Sequence, residues 1–202
     1  MSRQPYFLRH DVFIKKKLQF ITIHQNYLKA LHDACSEVYY KPAGYETKPY
    51  LGILVEKEGA EYAIPLSSAK EKHKAWRNVE IDRFLIFENC DKQKLGTRAV
   101  YVENPDGSVK HILAIIDVKK MIPVKQGLYS KVNLNPSETD SPADKKYKVL
   151  LNIEYSFCLK IIDSLIQKAT RIYEKQIRTG KIPRFCCDFK LLEKICDEYT
   201  LA

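Results

Sequence analysis

Residues 48–73 read KPYLGILVEKEGAEYAIPLSSAKEKH, and the organisation of the chain follows from this stretch. Tyr50 to Glu56 is an apolar run long enough for a buried strand. Lys57 to Ala60, with Gly59, makes a tight turn, and Glu61 to Leu66 returns with Pro65 near its end. A hairpin brings its open ends together, so Lys48 is expected beside Ser67 and Ser68, with Lys70 close by. A cation, two hydroxyls and a second lysine in one place suit cleavage of RNA by its own 2′-OH. The lysine offsets charge on the phosphate, the hydroxyls orient its oxygens, and a general base takes the 2′ proton. Ser-Ser-x-Lys is also common in polar turns, and the residues alone leave both readings open. His73, at the end of the stretch, reads either as a general acid or base or as a surface histidine.

Before the hairpin, Leu18 to Ile23 (LQFITI) predicts a strand by its β-branched and aromatic content. Asn26 is placed to cap a helix over 27–38, with Tyr27, Leu28, Leu31, Ala34, Cys35 and Val38 at helical spacing. Residues 1–17 are polar and basic, end in three lysines, and read as a separate extension: a flexible arm or a functional basic arm. After the hairpin, a strand is expected at 83–87. A second hairpin spans 99–103 and 110–116 around the turn Asn104-Pro105-Asp106-Gly107, and 122–124 is a further short strand. Residues 133–146 predict a polar loop without period. Apolar spacing predicts a long helix over 147–179, ended by Gly180, and Asp188 caps a final helix, FKLLEKICDEY. The expected fold is α+β: one domain over 18–202, with a small, mainly antiparallel sheet or barrel and a long C-terminal helix packed on it.

Composition narrows the function. The chain has 202 residues and a net charge of +9, which favours a polyanionic partner, nucleic acid before an anionic membrane. A hydrophobic share of 45% with 29% charged residues is ordinary for a globular protein and excludes a disordered one. No apolar run approaches the ~18 residues of a membrane span, and residues 1–17 lack the apolar core of a secretory signal. A cytoplasmic protein without a membrane partner is expected. Its six cysteines then read as free thiols rather than disulfides. No Cys-x-x-Cys pair occurs, Cys186 and Cys187 are vicinal, and the metalloprotease, dinucleotide and P-loop motifs are missing. Catalysis without zinc, dinucleotide or other cofactor is expected.

Two features favour RNA. Lys168, Arg171, Lys175 and Arg178 step by three, four and three, a stripe about 80° wide on a helix. Lys181 and Arg184 extend it. The stripe is either a solvated face or a rail for phosphates. Tyr39, Tyr40, Tyr45 and Tyr50 interleave with Lys41 and Lys48, so rings can stack on unpaired bases while ammonium groups hold phosphates. Such tyrosines also serve as half-buried lids over a core.

The stretches LQFITIHQNYLKAL (18–31), 48–73, IIDVKKMIPV (115–124), YKVLLNIEYSF (147–157) and CDFKLLEKICDEY (187–199) resemble the ToxN/AbiQ family of bacterial type III toxins. The similarity runs over residues 18–200 in the same order. It implies a small-barrel core related to the MazF/Kid toxins with added helices. It also implies a metal-independent endoribonuclease that leaves a 2′,3′-cyclic phosphate and a 5′-hydroxyl. The implied partners are cellular or phage RNA as substrate and an antitoxin RNA, which the toxin processes into pseudoknot repeats that close into an assembly with it. Several members of the family act in abortive infection against phage. By the resemblance, Lys48, Ser67, Ser68, Lys70 and Tyr27 fall on active-site positions, Tyr45 on a loop tyrosine one residue out of register. A non-catalytic RNA-binding regulator is the alternative. Attachment to DNA or a membrane surface has charge alone in its favour.

Overall fold

The computed structural model describes residues 18–40, 51–57 and 60–200; the extension at 1–17 lies outside them. Eight strands and three helices follow in the order β1 (Phe20–Ile23), α1 (Gln25–Ala34), β2 (Leu51–Lys57), β3 (Ala60–Ser68), β4 (Arg83–Cys90), β5 (Val100–Glu103), β6 (Val109–Asp117), β7 (Ile122–Val124), β8 (Tyr129–Lys131), α2 (Pro142–Thr179) and α3 (Phe189–Glu198). Over its described residues, 51–57 and 60–68, the expected hairpin forms: β2 pairs antiparallel with β3, Gly52 opposite Pro65 and Lys57 opposite Ala60. The second hairpin, β5 with β6, turns through Gly107 at φ 83°, a left-handed conformation that glycine adopts without a Cβ penalty.

β3 positions the site. One edge pairs with β2; the other is divided between β7, at Glu61 to Ala63, and β6, at Leu66 to Ser68. The sheet order is β4-β6-β3-β2-β1-β8, with β5 added to β6 and β7 to β3. Among the described strands β4 and β8 do not pair, and no closed barrel is found. The three-residue β8 has one partner, β1. The core is instead covered by helices. Tyr27, Leu28 and Leu31 of α1, Leu165, Ile166 and Ala169 of α2, and Phe189 and Leu192 of α3 join Phe20, Ile21, Tyr62, Ile64 and Ile116 of the strands in one buried cluster.

α2 begins five residues before the expected start. Ser141 Oγ accepts from Asp144 N–H at 3.1 Å while the Asp144 carboxylate accepts from Ser141 N–H at 3.3 Å, and Pro142 occupies the first turn. This reciprocal cap satisfies free N–H groups inside a stretch whose polarity predicted a loop. Gly180 ends the helix at φ 64°, its N–H donating to Gln176 O at 2.9 Å. Asp188 Oδ1 caps α3 by accepting from Leu191 N–H at 3.1 Å, as expected. In α1 the cap position is His24, and its side chain makes no cap bond, in place of the expected Asn26.

Candidate active site and nucleic-acid surface

Ser67 and Ser68 end β3, opposite Ile115 and Ala114 of β6. Ala69 N–H continues the pairing to Leu113 O at 3.1 Å. The backbone beneath both hydroxyls is therefore held by a central strand, while Ser67 is half-buried and Ser68 and Lys70 are exposed. A 3-10 turn follows over Glu71–Ala75. Its anchor is His73, 4% exposed, whose Nδ1 accepts from Lys70 N–H at 2.9 Å. Burial first, then the charges of Lys72, Lys70 and Arg83, hold the His73 imidazole below its ordinary pKa. A neutral ring that accepts at Nδ1 carries its proton on Nε2. His73 is thus not a surface histidine. It fixes the backbone from which Lys70 projects.

Sequence reading missed two neighbours. The Trp76 ring lies 4.4 Å from His73, and the Arg83 guanidinium sits 4.0 Å over that ring, its Nε buried without a hydrogen-bond partner. A cation on an aromatic face is weakly hydrated and suited to an anion. No periodicity links position 76 to 83; the approach of β4 to the 3-10 turn creates the pair. A surface depression lined by Glu61, Gln126, Gly127, Tyr129 and Lys131 lies at the other end of β3. Ser67 lies six positions along β3 from Glu61, roughly 20 Å of strand, so the depression holds none of the candidate chemistry.

Tyr27 is placed differently from the expectation. It is 0% exposed, its OH donates to Pro123 O at 2.8 Å, and its ring meets Tyr199 edge-on at 5.0 Å. Burial drives its pKa upward. The hydroxyl ties α1 to β7. Lys48, Tyr45 and Tyr50 lie outside the described residues.

On α2, Arg171, Lys175 and Arg178 are exposed, as are Lys181 and Arg184 beyond its end. Lys168 departs from the stripe: its Nζ donates to Glu80 O and lies 5.2 Å from the Phe84 ring centre. Arg184 stacks 4.5 Å over Phe185, an exposed aromatic at φ 61°. The exposed basic stripe is shorter than the sequence predicts, with an aromatic at its end.

The C-terminal motif CDFKLLE (187–193) has a structural use. Glu193 Oε1 accepts from the hydroxyls of Tyr62 on β3 and of Tyr173 on α2, the latter at 2.8 Å. One carboxylate thus clamps α3 to the strand that carries Ser67 and Ser68 and to the long helix. All six cysteines are free thiols, as expected, and among the described residues no helix is long and apolar enough to cross a membrane.

Residues 19–197 match the family model of toxin ToxN, type III toxin–antitoxin system. The chain is 26% identical over 192 residues to the endoribonuclease ToxN of Bacillus thuringiensis subsp. kurstaki, covering 92% of this chain and 86% of that protein. Its fold is similar to a toxin solved in work on selective toxin inhibition by a non-coding RNA pseudoknot, with a TM-score of 0.66 and 22% identity over 91% of this chain and 98% of the other. It is also similar to AbiQ, a lactococcal anti-phage endoribonuclease of a type III system, with a TM-score of 0.60 and 23% identity over 90% and 97%.

Proposed function

The chain belongs to the ToxN family of type III toxin–antitoxin toxins, and from that premise we propose that it is a cytoplasmic, metal-independent endoribonuclease toxin. The substrate is cellular or phage RNA. Growth arrest during phage infection is the physiological output. Inhibition comes from a pseudoknot RNA, processed from a repeat transcript and gathered with toxin into a closed assembly. The relatives' names and the RNA pseudoknot of the similar toxin support this reading.

The observation that carries the catalytic assignment is the end of β3. Ser68 and Lys70 are exposed beside half-buried Ser67, on backbone locked by β6 and by His73. In the proposed step a base removes the 2′-OH proton, the 2′ oxygen attacks the adjacent phosphorus, and the P–O5′ bond breaks. The departing 5′ oxygen takes a proton, leaving a cyclic phosphate and a 5′-hydroxyl. Ser68 is the principal catalytic hydroxyl. Ser67 and Lys70 hold the non-bridging oxygens, and Lys48 offsets the added charge or protonates the leaving oxygen. β2 begins at the end of the hairpin where β3 finishes, which supports Lys48 in this role.

RNA cleavage in EDTA by wild type, Ser68→Ala and Lys48→Ala tests the assignment. Wild type should cut, and both variants should lose most activity, about 10²-fold or more. Undiminished cleavage by both variants overturns the roles, and wild-type cleavage lost on chelation overturns the metal-free mechanism. If wild-type expression without antitoxin RNA leaves growth unaffected, the non-catalytic binding protein is the better reading.

A further inference from the structure

Glu88 and Cys90 stand two residues apart on β4, and a strand places such residues on one face. His111 on β6 is the register partner of Glu88. One ligand atom from each of the three lies within 4.8 Å of the others. His111 Nδ1 and Glu88 Oε1 are 3.1 Å apart. Two ligands at about 2.0–2.1 Å from a tetrahedral zinc ion are roughly 3.3 Å apart, close to that separation. A thiolate at about 2.3 Å would sit roughly 3.6 Å from each, and the Cys90 Sγ lies within 4.8 Å of both. A hydrogen bond accounts for Glu88 and His111 but not for a thiol within 4.8 Å of both. All three residues are half-buried, enough to exclude much water while leaving an entry path.

We propose that Glu88, Cys90 and His111 form a binding site for a borderline-soft divalent transition metal, Zn²⁺ foremost, with a water or outside ligand in the fourth position. Imidazole, thiolate and carboxylate together select zinc over magnesium or calcium, whose preferred ligands are all oxygen. The site differs from the one proposed for RNA cleavage. His111 is three residues along β6 from Ala114, the partner of Ser68, about 10 Å of strand. Its place in the fold gives it a use. Tyr101 of β5 pairs with His111, and its ring lies 5.4 Å from the Nζ of Lys74, in the 3-10 turn that holds His73. A metal there would cross-link β4 to β6 beneath the turn that fixes Lys70.

The metal titrations use the full chain, stripped of metal, without RNA. Titration with Co²⁺ should produce an intense thiolate-to-cobalt absorption and the visible bands of a tetrahedral ion. One equivalent of Zn²⁺ should abolish both. Zn²⁺ should also raise the melting temperature. Cys90→Ser should remove the thiolate band while its circular dichroism and its RNA cleavage in EDTA stay as in wild type. His111→Gln should weaken Zn²⁺ binding about tenfold or more. Cys35→Ser, altering another half-buried thiol, should keep the band. Absence of a thiolate band in wild type, or its persistence in Cys90→Ser, overturns the site. Neither result bears on the Ser68 assignment, because the cobalt titrations contain no RNA.

Discussion

The backbone N–H of Lys70 donates to Nδ1 of His73 at 2.9 Å, so a buried imidazole sets the direction in which an exposed lysine leaves β3. The bond requires a ring without a proton on Nδ1. His73 is held below its ordinary pKa of about 6.5 by burial and by three nearby cations. A base whose folded pKa is depressed contributes its stability above the unfolded value and loses it as pH falls towards the folded one. Between pH ~7.5 and ~5 the wild type should therefore lose more thermal stability than His73→Asn, which keeps an acceptor but does not titrate. Equal losses would show that His73 is not the group responsible.

Glu154 gives the opposite sign. It is buried on the core face of α2, and burial pushes its carboxyl up to about 7. A carboxyl raised in the fold costs stability as pH rises from its unfolded value to about 7, because the unfolded chain ionises first. Glu154→Gln should therefore stabilise the protein at pH 8 by on the order of 3 kcal/mol and change little at pH 4.5. Denaturant melts at the two pH values check this. A variant no more stable than wild type at pH 8 would mean that another group bears the charge.

The Glu193 clamp predicts coupling rather than simple loss. Glu193→Ala strips an acceptor from the hydroxyls of Tyr62 and Tyr173 and should cost about 1–3 kcal/mol. Tyr173→Phe should cost less in the Glu193→Ala background than in wild type, with a coupling of about 0.5–3 kcal/mol. Additive losses in a double-mutant cycle would show that the contacts stabilise independently.

How much of this was legible in the sequence depended on whether the signal was local. The hairpin at 48–73, the Asp188 cap and Gly180 each declare themselves within a few residues, and each appears where expected. The start of α2 was equally local, yet Ser141-Pro142-Ala143-Asp144 sits in a polar stretch where absence of apolar period outweighed the cap signal. Barrel closure was not legible, because it depends on whether a three-residue strand such as β8 finds a second partner. The burial of Tyr27 and His73 was hidden for a related reason: a polar ring reads as surface until its acceptor, or the donor it serves, is known. Arg83 on Trp76 and the Glu88–Cys90–His111 group arise from contacts between strands and a turn, and no spacing announces them.

The basic stripe divides by what each cation already touches. Lys168 spends its ammonium on the Glu80 carbonyl and the Phe84 face, whereas Lys175 and Arg178 project into solvent. A phosphate neutralised by a side chain releases counterions and adds about 0.7–0.9 to the slope of log affinity against log salt. If this face holds the antitoxin RNA, Lys175→Gln and Arg178→Gln should each weaken binding and lower the slope by about that amount. Lys168→Met should instead lower the melting temperature and leave the slope near the wild-type value. Fluorescence anisotropy at several salt concentrations gives the slopes. A slope that falls for Lys168→Met but not for the other two would move the RNA to the β4 side of the helix.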